Sequence, residues 1–168
     1  MNTRLDAAGS RSILTTLDEY RAAVTELVTR AQRSLSIYTP DLEPQLYDQD
    51  CFIEPLKRLV LARSHARVRV LISDPNRVSR EGNRFMQMAR RLTSYIDLRN
   101  VSPEYRSNPC SFLVADDKSM AYRQQSSRWD GIVEFNDQAI VRRYLAYFDE
   151  VWAGSIIQPE LRATAIDF

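Results

Sequence analysis

The chain has 168 residues, 44% of them apolar, enough for a single domain with a sizeable core and too many for a disordered segment. Its 23 basic and 22 acidic residues leave a formal charge of +1, so no global field draws it to nucleic acid or to an anionic membrane, and either would need a local patch. Two cysteines far apart, Cys51 and Cys110, exclude a disulfide framework and a Cys-based zinc site, and no run approaches the ~20 apolar residues of a membrane helix.

Residues 1 to 15 are polar, without the apolar core of a signal peptide, and read as a flexible leader. Thr16-Leu17-Asp18-Glu19 has the form of a capping box, and Leu17, Tyr20, Val24, Leu27, Val28 and Ala31 recur at helical spacing, which predicts a first helix ending near Arg33. A strand at Leu35 to Tyr38 and a loop from Thr39 to Pro44 follow, because each proline disfavours helix at the residue before it. Phe52, Leu56, Leu59 and Val60 mark a second helix running to about Arg63. Val68 to Ser73 is β-branched and reads as a central strand, closed by Asp74-Pro75-Asn76.

Ser79 is the expected cap of a third helix with Gly82, Phe85, Met86, Ala89 and Leu92 on one face. Tyr95 to Val101 then reads as a strand and Ser102 to Pro109 as a loop. Phe112 to Ala115, an Asp116-Asp117-Lys118 turn and the residues to Arg123 form two strands. Gly131 to Phe135 is one more strand. Asn136 or Asp137 caps a last helix with a stripe of Ile140, Tyr144, Phe148, Val151 and Trp152, and residues 154–168 read as an extension packing on the domain that spans 16–153. The fold class expected is α/β, a mixed central sheet flanked by helices on both faces.

The order of elements, with Val114-Ala115-Asp116-Asp117-Lys118, Phe135-Asn136-Asp137 and Tyr147 to Trp152, resembles one half of the phospholipase D superfamily over residues 17 to 153. In that family a strand carries His-x-Lys, four further residues and an Asp, and the next strand ends in a Gly-Ser pair. If Asp116 stands for that Asp, the histidine and lysine positions hold Pro109 and Ser111, and the Gly-Ser pair is Arg123-Gln124. The family breaks phosphodiesters through a covalent phosphohistidine, and proline has no nucleophilic lone pair. His65, the one histidine, reads as an exposed turn residue. The chain is more similar still to a motif-degenerate phospholipase D-like domain found appended to GNAT-type acetyltransferases, on Asp41-Leu42, Asp74-Pro75, Phe135-Asn136-Asp137, Phe148 to Trp152 and Pro159 to Arg162. No glycine-rich pyrophosphate loop of an acetyltransferase accompanies it.

The resemblance implies a non-catalytic domain acting as a binding or assembly module, with a second copy or another protein as partner. No cofactor and no metal are expected, and the setting is cytoplasmic. The loops after the first, second and fifth strands of this reading should gather at one crevice, which makes Tyr38, Asp41, Asp74, Asp116 and Arg123 the candidate ligand-binding residues. Arg123 either binds an anion there or closes an internal salt bridge to Asp116 or Glu134. A competing reading is an enzyme of altered chemistry, with Arg123 and Asp116 acting on a phosphorylated or carboxylated small molecule. A third uses Arg77, Arg80, Arg84, Arg90 and Arg91 around the third helix to track nucleic-acid phosphates, against the ordinary reading of a solvated face.

Overall fold

Local chemistry is obeyed closely at the first helix, α1 (Leu17–Arg30). Thr16 Oγ1 accepts the Glu19 N–H at 3.1 Å while Glu19 Oε1 accepts the Thr16 N–H at 3.2 Å, so the capping box forms in full. The Thr15 N–H, bonded to the same carboxylate, holds Glu19 below its ordinary pKa. The buried stripe is Tyr20, Ala23, Val24, Leu27 and Val28, which turns one face of α1 onto the sheet.

A computed structural model describes residues 11–78 and 83–157. Among the described residues the strands are β1 (Arg11–Leu14), β2 (Ser34–Thr39), β3 (Arg67–Ile72), β4 (Ile96–Asn100), β5 (Ser111–Ala115), β6 (Ser119–Arg123), β7 (Gly131–Glu134) and β8 (Ile156–Ile157). The remaining helices are α2 (Pro44–Tyr47), α3 (Asp50–Ala62), α4 (Arg84–Arg91) and α5 (Gln138–Ala153). The strands make one mixed sheet in the order β1-β7-β6-β5-β2-β3-β4-β8. β2, β3 and β4 are parallel, β5 runs antiparallel to β2, and β5, β6 and β7 continue as an antiparallel meander. This is the α/β class expected, with α1, α3 and α4 packed on one face and α5 on the other.

Four local expectations change. Arg11–Leu14, assigned to the leader, is an edge strand because its backbone pairs with β7, Arg11 opposite Glu134 and Leu14 opposite Gly131. Ile156 and Ile157, assigned to the extension, pair with Asn100 and Arg99 of β4. The loop after β2 contains the short helix α2, started by Pro44 at a position where its missing N–H costs nothing. The third helix starts later than expected, with Asn83 Oδ1 accepting the Met86 N–H at 3.1 Å; Ser79 and Gly82 lie outside the described residues.

The direction of β5 decides which loops can meet. Tyr38 is opposite Phe112 and Ser111 is opposite Arg123, so the end of β2, the start of β5 and the end of β6 come together. The turn after β5 lies at the other end of the sheet, where the Asp116 N–H donates to Ser34 O at 2.9 Å. Side chains alternate across the pleat. Ile37, Leu113 and Ala121 therefore join the core under α1, and Tyr38, Phe112 and Val114 join the core under α5.

Candidate functional site

At the end of the sheet where β2, β5 and β6 converge, the side chains facing α1 are polar and buried. Arg123 and Ser111 are 0% exposed and Glu43 is 8% exposed. Arg123 Nη2 donates to Glu43 Oε1. Its Nη1 donates to the carbonyls of Ser126 at 2.8 Å and Arg128 at 3.1 Å. The guanidinium lies 4.8 Å from the Tyr20 ring centroid and 4.4 Å from that of Trp129, held between two aromatic faces. Burial opposes its charge, but Glu43 and the neighbouring Tyr20 and Tyr47 outweigh that, and its pKa stands above the usual arginine value.

Glu43 is saturated as well. Its Oε2 accepts the Thr39 hydroxyl at 2.9 Å and the Ser111 hydroxyl at 2.7 Å. The backbone that delivers it is unusual, with φ of 66° at Leu42 and 20° at Glu43, and the Glu43 N–H is fixed by Asp41 Oδ1 at 3.1 Å. Pro109 takes part through its carbonyl, which accepts the Ser126 N–H at 2.7 Å. Gly131 lies against this strand end: a Cβ there would sit 2.4 Å from Tyr122 O and 3.0 Å from Arg123 Cγ. Arg123 Nε and the Tyr20 and Tyr47 hydroxyls are buried without a hydrogen-bond partner among the described residues.

The five candidates from the sequence do not form one crevice. Arg123 is at this end, but its carboxylate is Glu43 rather than Asp116 or Glu134. Glu134 is engaged by Arg11 at 3.1 Å, and its Oε2 accepts the N–H groups of Asn136 and Asp137. Asp41 and Asp74 are also at this end, both bridged by Arg77 at 3.3 and 3.8 Å. Tyr38 turns to the opposite face, where it is buried and stacked on Phe112 with centroids 5.3 Å apart. Asp116 is the clear correction. A strand of five residues separates it from Ser111, roughly 17 Å of chain, and its carboxylate accepts the backbone N–H groups of Gln32, Arg33 and Ser34 at 2.7 to 3.2 Å. It ties the turn to the end of α1, and with Asp117 it adopts φ near 55°, a left-handed pair suited to a tight hairpin.

Sequence reasoning missed Glu43 and Trp129, and placed Tyr20 only as a core residue. Glu43 lies 80 positions from Arg123, beyond any local spacing rule. His65 is exposed in the turn before β3, at the opposite end of the sheet from Ser111. Cys110 is buried, and burial pushes its thiol up to about 12. Among the described residues no group of three or more His, Cys, Asp or Glu could hold a metal, and no helix is long and apolar enough to cross a membrane.

A guanidinium that is 0% exposed and bonded to one carboxylate and two carbonyls turns no donor to solvent, its partnerless Nε included, and a carboxylate holding three donors is poorly placed to take a proton. The arrangement is that of a closed polar core.

Solved structures that share this fold include three with TM-scores of 0.60 to 0.64. The archaeal chromatin protein TrmBL2 aligns with a TM-score of 0.64 at 13% identity, over 90% of this chain and 55% of that one, so the present chain spans about half of it. Nuc of Salmonella typhimurium, a phospholipase D family member, gives 0.61 at 14% identity over 88% and 97% of the two chains. NucT of Helicobacter pylori gives 0.60 at 11% identity over 88% and 98%. Comparison with curated proteins finds no match. Residues 16–164 match a family described as a domain of unknown function (DUF7931), and with nearly the whole described fold inside that span the chain belongs to this family.

Proposed function

We propose that the protein is a non-catalytic phospholipase D-like domain that serves as a binding or assembly module, with a second copy or a separate protein domain as its partner. One observation carries the reading: a fully buried arginine, neutralised by Glu43, stands where the resemblance puts the Gly-Ser pair, and it is bonded through Glu43 to Ser111 at the lysine position. Pro109 at the histidine position offers no nucleophile. The similarity to domains appended to acetyltransferases makes such an enzyme the first separate partner to try. A reducing, cytoplasmic setting suits the two unpaired cysteines.

The altered-chemistry enzyme fits less well, since Asp116 and Arg123 sit at opposite ends of the sheet and Arg123 is closed to solvent. Nucleic-acid binding by the third helix is also weakened. Arg84 is held by Asp48 at 2.9 Å and by Asp50, and Arg77 by Asp41 and Asp74. The test is turnover of bis(p-nitrophenyl) phosphate by the purified chain and by Glu43→Gln. Background rates in both support the proposal. Turnover by the parent that Glu43→Gln abolishes would sink it.

A further inference from the structure

The face of the sheet under α5 is open beside Tyr122 and Tyr144. Two adjoining hollows there, of about 580 and about 310 Å³, share Tyr122 and Tyr144, and the smaller already falls in the range of roughly 300–1,000 Å³ usual for small-molecule sites. Phe112, fully buried, floors the smaller one, and the half-buried rings of Tyr122, Tyr144 and Tyr147 wall it. Tyr122 and Tyr144 have centroids 4.5 Å apart. Asn108 fixes the rim: its Nδ2 donates to Tyr147 Oη at 3.0 Å and its Oδ1 accepts the Cys110 N–H at 3.2 Å.

Charge distinguishes the two hollows. In the larger, Arg128 is neutralised by Asp130 at 2.7 Å. The smaller is lined by Arg143 and by no carboxylate, and Arg143 makes no ion pair with any described residue. Burial, then the neighbouring Tyr144, push the Tyr122 phenol up to about 12, so it remains a hydrogen-bond donor throughout the neutral range. Aromatic walls favour a flat ring, by stacking. An unpaired guanidinium at the rim favours an anion at one end of that ring.

We propose that this hollow binds a planar aromatic ring bearing one anionic group, with the ring against Tyr122 and Tyr144 and the anion on Arg143. A nucleoside monophosphate and an aromatic carboxylate both have this chemistry. The site lies on the opposite face of the sheet from Ser111 and Arg123, so it stands whether or not the domain turns over phosphodiesters.

Calorimetric titration of the full chain with AMP, benzoate, adenosine and inorganic phosphate tests it. AMP, benzoate or both bind, with adenosine and phosphate at least about 10-fold weaker, the scale of a hydrogen bond to a charged group. Binding of AMP alone assigns the anion as phosphate, and binding of benzoate alone as carboxylate. Arg143→Gln, an exposed change that leaves the core intact, weakens the anionic ligands about 10-fold and leaves adenosine unchanged, whereas Tyr144→Leu weakens all of them. Absence of binding by both AMP and benzoate at concentrations on the order of millimolar overturns the proposal. So does phosphate or adenosine matching AMP, or an Arg143→Gln chain that binds as the parent does.

Discussion

Replacing Arg123 by methionine tests the closed polar core directly. The substitution keeps an unbranched apolar stem but removes the bond to Glu43, the bonds to the Ser126 and Arg128 carbonyls, and the charge between Tyr20 and Trp129. It leaves the Glu43 carboxylate buried with two hydroxyl donors and no counter-charge in this cluster. Breaking one side of a buried pair costs about 3–5 kcal/mol, a large share of the roughly 5–15 kcal/mol that stabilises a domain. With a urea m-value of about 2 kcal/mol/M, the unfolding midpoint falls by about 2 M at unchanged m. Adding Glu43→Leu removes the stranded charge and recovers part of the loss, because an apolar replacement of a whole buried pair is far cheaper than half of one. Urea titration followed by circular dichroism reads Arg123→Met, Glu43→Leu and the double variant. A midpoint within about 0.5 M of the parent, or a double variant equal to the sum of the singles, refutes the assignment of Arg123 and Glu43 as one coupled unit.

Asp116→Ala removes the acceptor for three backbone N–H groups and places alanine at φ 55°, so it destabilises by about 2–3 kcal/mol; amide exchange at Gln32 to Ser34 accelerates, and unchanged protection there refutes the anchoring role. Gly131→Ala forces backbone apart at a Cβ distance of 2.4 Å from Tyr122 O, with an expected loss of about 1–3 kcal/mol and a melting point lower by several degrees; an unchanged melting point counts against the tight β6–β7 approach. Under native conditions near pH 8 a thiol reagent modifies exposed Cys51 and spares buried Cys110, with the second thiol appearing only in denaturant. Two equally fast thiols would contradict that burial. The Cys110 thiol and the Tyr122 phenol are raised from 9.0 and 10.0 to about 12, so the folded state keeps protons the unfolded state gives up. Stability is therefore full below about pH 9 and declines toward pH 12. Phenol absorbance and circular dichroism followed together check this, and tyrosines that all ionise near pH 10 with the fold intact refute it.

Periodicity and capping chemistry are local, and they were legible. The helix stripes, the Thr16 box, the β-branched strands and the acid-rich hairpin turn all depend on residues within a few positions of each other. The last helix shows the limit of such reading: Val141, absent from the expected stripe, is buried, while Ile140, Tyr144 and Trp152 are only half-buried along a helix that covers part of a wide sheet.

The sequence by itself determined the α/β class and the order of most elements, with β1, α2 and β8 left out. Only the tertiary structure decided which polar groups meet. Because β5 runs against β2 while β6 runs with it, the loop after β2 meets Arg123 at one end and leaves Asp116 at the other. Strand alternation then sends Tyr38 to one face and Thr39 with Glu43 to the other. Neither strand direction nor a partner 80 residues away leaves a mark in local spacing, since a buried charge is set by what long-range packing brings to it.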